Sequence, residues 1–317
     1  VLFYDIAENG YEEMFEKILL PLDGSELAEV ALPYVEKLAG RLGSEIVLAH
    51  VSELASDPTE DTHRSYLKRI VEATENEASA YSDKQGNGPA IVVRSVILAG
   101  QPAEKIVEYA ENENIGLIIM ATHGQSGIQR WALGSVADKV VRATTRPVLL
   151  IRAKGASPDV SSRGILNKIL VPLDGSKEGE AIIPYIEDLA SRLMIKVILI
   201  QILAKGYETL TQYVPLSERQ IESDRARAAA YLNNIGVGLK GKGIAVEERL
   251  GIGIRLGNAA EQIIQAAYEV QADLMAMTTH GRSGVGRWAF GSVAERVLHE
   301  GNTPLLLVRS PGAAGEQ

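Results

Sequence analysis

The stretch Thr122-His-Gly-Gln-Ser-Gly-Ile-Gln-Arg-Trp-Ala-Leu-Gly-Ser-Val-Ala137 decides how this chain is read, because its pattern occurs twice. Thr122, His123, Gly124, Ser126, Gly127, Arg130, Trp131, Ala132, Gly134, Ser135, Val136 and Ala137 recur as Thr279, His280, Gly281, Ser283, Gly284, Arg287, Trp288, Ala289, Gly291, Ser292, Val293 and Ala294, each pair 157 residues apart. Both copies follow an apolar run, 117–120 or 274–277, and lead into a helix-like run. A glycine-rich turn from strand to helix presents backbone N–H groups and a helix N-terminus to an anion. The chain therefore reads as one phosphate-cradling unit, duplicated.

A second register supports the duplication. Leu22-Asp23-Gly24-Ser25 recurs as Leu173-Asp174-Gly175-Ser176, 151 residues later, and Pro33-Tyr34 recurs as Pro184-Tyr185 at the same offset. The growing offset gives the second half six net extra residues in its middle, which belong in loops or helix ends. Apolar periodicity predicts strands over 17–22, 45–51, 91–96, 117–121 and 148–152, with helices over 26–42, 64–82, 103–113 and 135–144. In the second half it predicts strands over 168–173, 196–202, 245–250, 274–278 and 305–309, with helices over 177–193, 217–239, 259–270 and 292–300. Strands as continuously apolar as Val148-Leu-Leu-Ile151 suit a parallel sheet covered on both faces. The expected fold class is α/β: two repeated doubly wound domains, over 14–153 and 167–310, joined by a linker at 154–166. Residues 1–13 read as an extension ahead of a natural start at Met14, and 311–317 as a frayed tail.

Composition narrows the function. Apolar residues make up 46% and charged residues 23% of 317, an ordinary globular balance in which each half can bury a core. A net charge of −9 argues against general nucleic-acid or anionic-membrane binding, although a local basic pocket stays allowed. The absence of cysteine excludes disulfides, thiolate catalysis and Cys-based zinc sites, and fits the cytoplasm. No apolar stretch reaches membrane-spanning length.

Two elements carry candidate chemistry. Pro21-Leu22-Asp23-Gly24-Ser25, repeated from Pro172, places Asp23 and Asp174 at the carboxyl end of each first strand, where open parallel sheets bind ligands. The carboxylate suits a ribose hydroxyl or an adenine amino group; equally, Asp-Gly-Ser forms a turn and caps the next helix. The second element is Gly124, nine residues, then Gly134-Ser135, with Gly281 and Gly291-Ser292 as its copy. Ser135 and Ser292 stand where a helix begins, as phosphate contacts or as N-caps. A cap explains a serine but not three glycines held at matched positions in both halves, so phosphate binding stands ahead here.

These motifs, with the closing runs Arg146-Pro-Val-Leu-Leu-Ile and Thr303-Pro-Leu-Leu-Leu-Val, make the chain resemble a tandem universal stress protein from Met14 to about Ser310. The resemblance implies five-stranded parallel sheets of order 3-2-1-4-5, with ATP, alone or with Mg2+, in the switch-point cleft. It implies that Asp23 and the backbone around Val51, beside Pro21 and Leu22, hold adenosine, while Gly124, Gly134, Ser135 and Val136 hold the phosphates near Ala121, His123 and Gly127. In the second half the matching residues are Pro172, Asp174, Ile202, Thr278, His280, Gly281, Gly284, Gly291, Ser292 and Val293. It also implies pairing of the two domains through their last strands, an intrachain pseudo-dimer that would protect an apolar edge, with a further homodimer left open. The ATP-binding pattern has a glycine where this chain has Ala121 and Thr278, so the first site is expected to bind nucleotide better than the second.

Other features carry less. Gly236-Val-Gly-Leu-Lys-Gly241-Lys242 starts like a P-loop, but Gly243 replaces the Ser or Thr and the order is helix to strand; it reads as a helix stop. Gly251-Ile-Gly253 with Gly257 misses the dinucleotide spacing by one and reads as loop. His123 and His280 recur, with a structural hydrogen bond as the plainer role; His50, His63 and His299 are unmatched and read as incidental. Trp131 and Trp288 read as packing residues, while Arg130 and Arg287 suit either a phosphate contact or a solvated face. Three functions follow: an ATP-binding stress or signalling module, a scaffold of the same fold without nucleotide, or a slow ATPase for which no general base or Walker element is assignable.

Overall fold

The computed structural model describes residues 14–53, 59–82, 91–122, 133–152, 166–204, 206–208, 213–253, 259–280 and 290–310. The chain divides into two compact units, Val1–Ile165 and Leu166–Gln317. The expected extension 1–13, the tail 311–317 and the linker residues 154–165 lie outside the described residues.

In unit 1, β1 (Lys17–Pro21) leads through α1 (Glu26–Glu29) and α2 (Leu32–Leu42) to β2 (Glu45–Ser52). Then come α3 (Glu60–Ser82), β3 (Val93–Ala99), α4 (Pro102–Asn112), β4 (Leu117–Ala121), α5 (Ser135–Ala143) and β5 (Val148–Ile151). Every strand pair is parallel, in the order β3-β2-β1-β4-β5. That is the 3-2-1-4-5 sheet implied by the resemblance. Its central strand β1 buries Ile18, Leu19 and Leu20 completely, as a strand covered on both faces must. α2 packs on α3, and α4 on α5.

Unit 2 repeats the pattern with β6 (Lys168–Pro172), α6 (Lys177–Glu180), α7 (Ile183–Leu193) and β7 (Lys196–Ala204). A short antiparallel pair, β8 (Gly206–Glu208) and β9 (Tyr213–Pro215), precedes α8 (Glu218–Gly241). β10 (Val246–Gly253), α9 (Ala259–Glu269), β11 (Leu274–Thr278), α10 (Ser292–Glu300) and β12 (Leu305–Val308) complete it, in parallel order β10-β7-β6-β11-β12. The pair β8–β9 falls in the long connection 205–217, whose counterpart in unit 1 is the shorter 53–59. Ser217 and Gln220 form a reciprocal capping box that starts α8. The helix runs through Gly241, so the P-loop-like segment is helix.

Two expected helices are each split. The run 26–42 breaks at Val30–Ala31, and 177–193 breaks at Ala181–Ile182, ahead of Pro33 and Pro184 in the first turn of α2 and α7. Proline has no N–H for the preceding turn, and its ring clashes with the carbonyl four residues back, so a new helix starts there instead.

The helices α2 and α7 end on equivalent left-handed residues of different kinds. Gly43 has φ 72°, whereas Met194, 81% exposed, has φ 55°. A side chain in this conformation is strained, and glycine is the residue that relieves it. Met194→Gly is expected to stabilise unit 2 by about 0.5–1 kcal/mol, read as a higher urea midpoint without a change of slope.

Glu36 on α2 is the other conditional element. Burial, and then the charge of Glu77 on α3, push its carboxyl up to about 7. A carboxyl raised on folding favours the protonated fold, so its contribution is present at low pH and is lost as pH rises from the usual carboxylate range through about 7. Glu36→Gln should therefore raise the melting temperature at about pH 8, by the equivalent of about 1–2 kcal/mol. The gap from wild type should close toward about pH 4; a gap constant across that range counts against the burial account.

Candidate functional site

Each cleft opens where the sheet order reverses, beyond the carboxyl ends of the first and fourth strands of its unit. In unit 1 the neighbours of β1 are β2 and β4, with Ile18 opposite Leu117. Pairing carries on past the strand ends, with Leu22 N–H donating to the Ala49 carbonyl at 2.8 Å and Thr122 N–H to the Ile151 carbonyl at 2.9 Å. In unit 2, Leu173 N–H donates to Ile200 at 2.8 Å and Thr279 N–H to Val308 at 2.9 Å. The two mouths are therefore built from the same main-chain connections.

One wall is the turn after the first strand. Gly24 and Gly175 have φ 81° and 83°, which the aspartate-to-serine turn requires and which only glycine adopts at little cost. Asp23 Oδ1 accepts from Ser25 N–H at 3.0 Å and from Ser25 Oγ at 2.6 Å. Ser25 Oγ in turn accepts from Ala28 N–H at 3.2 Å, capping α1. Asp174, Ser176 and Gly179 repeat these bonds at 3.0, 2.5 and 3.0 Å. The aspartates thus do form the turn, and both also line their clefts. The absent Cβ of Gly179 would stand 2.7 Å from Asp174 Oδ1, so the carboxylate of unit 2 sits tightly over α6.

The opposite wall is the N-terminus of α5 or α10. Gly134 N–H donates to the Thr122 carbonyl at 2.7 Å and Gly291 N–H to Thr279 at 2.9 Å. These glycines, rather than the serines, are the N-caps, and no side chain caps either helix. Ser135 and Ser292 are first-turn residues, so of the two roles open to them the N-cap is set aside. The first intrahelical bonds are Asp138 N–H to Gly134 and Glu295 N–H to Gly291, both 2.9 Å. The amides of Ser135, Val136 and Ala137, and of Ser292, Val293 and Ala294, precede those bonds and so have no intrahelical acceptor. All six residues line a cleft. A first turn of bare amides favours an anion by about 0.3–1 kcal/mol per charge when exposed and more when sheltered.

Every described candidate reaches its cleft. Pro21, Leu22, Asp23, Val51, Ala121, Gly134, Ser135 and Val136 meet around a space of about 690 Å3 in unit 1. Pro172, Asp174, Ile202, Thr278, His280, Gly291, Ser292 and Val293 meet around about 300 Å3 in unit 2. His123, Gly124, Gly127, Gly281 and Gly284, together with Arg130, Trp131, Arg287 and Trp288, lie outside the described residues. Among the described residues no group of three or more His, Asp or Glu is placed to hold a metal ion, and no helix is long and apolar enough to cross a membrane.

Thr278 and His280 define the chemistry of the second cleft. Thr278 Oγ1 donates to the His280 carbonyl at 2.6 Å, so its hydroxyl is engaged by the backbone. His280 Nδ1 lies 3.1 Å from Thr279 Oγ1, while the buried Nε2 has no hydrogen-bond partner among the described residues. Burial, and then the nearby positive charge of Arg309, lower the imidazole's affinity for a proton. A neutral buried ring nitrogen left unmatched costs about 1–3 kcal/mol, and His280 is one of the residues lining the cleft.

Sequence reasoning missed two contributors to cleft 1. His50, on β2, and His63, on α3, both line it with their rings 4.0 Å apart. Neither is repeated in unit 2, so internal comparison offered no signal. For His50 the one usable hint is its place beside Val51, at the carboxyl end of a strand bordering the switch point.

Removal of each serine separates the two walls. Ser25→Ala should cost about 1 kcal/mol, as loss of an N-cap does, whereas Ser135→Ala should change stability by less than about 0.3 kcal/mol. Urea unfolding of the two variants checks this; equal losses would return Ser135 to a capping role.

Comparison with known proteins agrees with this architecture. The sequence profile of the universal stress protein family matches residues 14–152 and 166–309. A universal stress protein of Methanocaldococcus jannaschii is 30% identical over 159 residues, covering 45% of this chain and 98% of that protein. A universal stress protein of a Synechocystis species is 21% identical over 315 residues, covering 93% of this chain and all of that one. The crystal structure of a universal stress protein from Archaeoglobus fulgidus superimposes with a TM-score of 0.62 at 19% identity, covering 93% and 98% of the two chains.

Proposed function

The chain belongs to the universal stress protein family, and from that premise we propose that each unit is an adenine-nucleotide-binding module whose ligand is ATP. The observation that carries the reading is the bare first turn of α5 and of α10 lining a cleft at the switch point. Donors fixed in the backbone suit phosphate oxygens, because nothing has to reorganise when the charge arrives. Asp23 and Asp174, whose Oδ1 atoms the turn already orients, would take the ribose or the base amino group. No acidic cluster accompanies the phosphate wall among the described residues, so a Mg2+ ion would come on the nucleotide's own phosphates.

Unit 1 is the better site in this reading. Its cleft is the larger, about 690 against about 300 Å3, and Ala121 stands where unit 2 has the bulkier Thr278. Clefts across this size range accommodate small-molecule ligands. Occupancy would tune interactions with other proteins in the cytoplasm.

Native mass spectrometry of the purified full chain, with and without added ATP, tests the proposal. Wild type should take two nucleotides, filling unit 1 first, and Gly134→Val and Gly291→Val should each take one. The double variant should take none, with melting curves confirming that it is folded. Asp23→Ala, which leaves the helix N-terminus intact, should weaken unit 1 by about 1.5–3 kcal/mol, the range for losing one charged hydrogen-bond partner. No adenylate retained at saturating supply, or undiminished binding by the double variant, would falsify the nucleotide assignment.

A further inference from the structure

Cleft 1 holds two side chains that the proposed nucleotide contacts leave unused. His50 is buried on β2, and its Nδ1 lies 2.9 Å from the Leu22 carbonyl. A carbonyl only accepts, so Nδ1 carries the hydrogen and a second proton goes to Nε2. His63, in the first turn of α3, stacks against it with ring centroids 4.0 Å apart and planes inclined at 41°. Both rings line the cleft that also contains Gly134, Ser135 and Val136. At the position of His50, unit 2 has Gln201, and the sequence from 204 to 279 contains no histidine.

Two imidazolium rings this close would repel each other. Among the described residues the charged groups lining this cleft are Asp23, from the turn after β1, and Glu53, just beyond β2, while Arg64 follows His63 on the exposed side of α3. Packed against the same space, α4 contributes only the apolar Pro102 and Ile106. Two carboxylates at the mouth of a cleft repel an anionic ligand, and a proton on the imidazole pair offsets them. Histidine is the side chain that supplies such a charge between about pH 5 and 8.

We propose that the His50–His63 pair is a proton-dependent specificity contact of the first cleft: one proton taken up by the pair accompanies binding of an anionic adenine nucleotide to unit 1, and unit 2 lacks the device. The inference rests on the nucleotide reading above. It makes the two clefts respond differently to acidity although the backbone that frames them is the same.

The test uses the full chain. Gly291→Val leaves unit 1 to report and Gly134→Val leaves unit 2, and each is titrated with ATP by calorimetry at about pH 6 and about pH 8. The terminal phosphate of ATP also titrates in this range, so unit 2 is the internal reference. His280 serves that purpose because burial and Arg309 hold down its protonation. On acidification, the affinity of unit 1 should rise about five- to tenfold more than that of unit 2, as expected for a proton bound about one pKa unit more tightly in the complex. Buffers of different ionisation heat should show correspondingly greater proton uptake by unit 1. His63→Gln, added to the Gly291→Val chain, should abolish the excess.

Equal pH slopes in the two units, or an excess that survives His63→Gln, overturns the inference while leaving nucleotide binding intact. Absence of binding in both variants and in wild type at either pH removes the nucleotide reading, and this one with it.

Discussion

The rest of the structure depends on β1 and β6 being apolar on both faces and lying between strands whose connections run in opposite directions. Ile18, Leu19 and Leu20, and likewise Ile169, Leu170 and Val171, are fully buried. A strand so placed cannot end in a polar side chain until it clears the sheet. The first such residues, Asp23 and Asp174, therefore appear at the carboxyl edge. The fourth strand ends at the same edge, and its chain returns through α5 or α10. Helices leaving neighbouring strands on opposite faces cannot close over the gap between them, which is why the cleft exists. Burying the centre of the sheet thus delivers a carboxylate and a helix N-terminus to one place.

Much of this was legible in the sequence because it was written twice. The pairing of Gly134-Ser135 with Gly291-Ser292 marked the start of the last helix, and Asp23 with Asp174 marked the end of the first strand. The local roles of the serines were not legible. Ser25 caps its helix by accepting from Ala28, whereas Ser135 follows a glycine that occupies the cap position. A one-residue displacement separates a structural hydroxyl from one on the cleft wall, and apolar periodicity does not resolve boundaries that finely. The breaks before Pro33 and Pro184 were available from proline chemistry, but the amphipathic pattern continues across them and masks the interruption.

His50 and His63 were hidden for a different reason. They are 13 positions apart, with the end of a strand and a connection between them, and only the packing of α3 brings one ring onto the other. Comparing the halves favours residues that both retain, so it discards the features by which one half differs. That filter works for the shared backbone frame and fails for anything specific to one cleft.

The duplicated frame has tolerated divergence where side chains, rather than main chain, meet the cleft. The bonds Gly134 to Thr122 and Gly291 to Thr279 agree within 0.2 Å, as do those that prolong the first strands. Against that constancy, His50 stands opposite Gln201, whose buried Oε1 has no partner among the described residues, and Ala121 opposite Thr278. A main-chain donor keeps its position through substitution, because the fold fixes it and no side chain can replace it. Side chains on the same wall are free to change charge, size and proton affinity. On the proposed reading, two copies sharing one backbone cradle would keep a common taste for anions while parting company in strength and in response to acidity, with no change of architecture required.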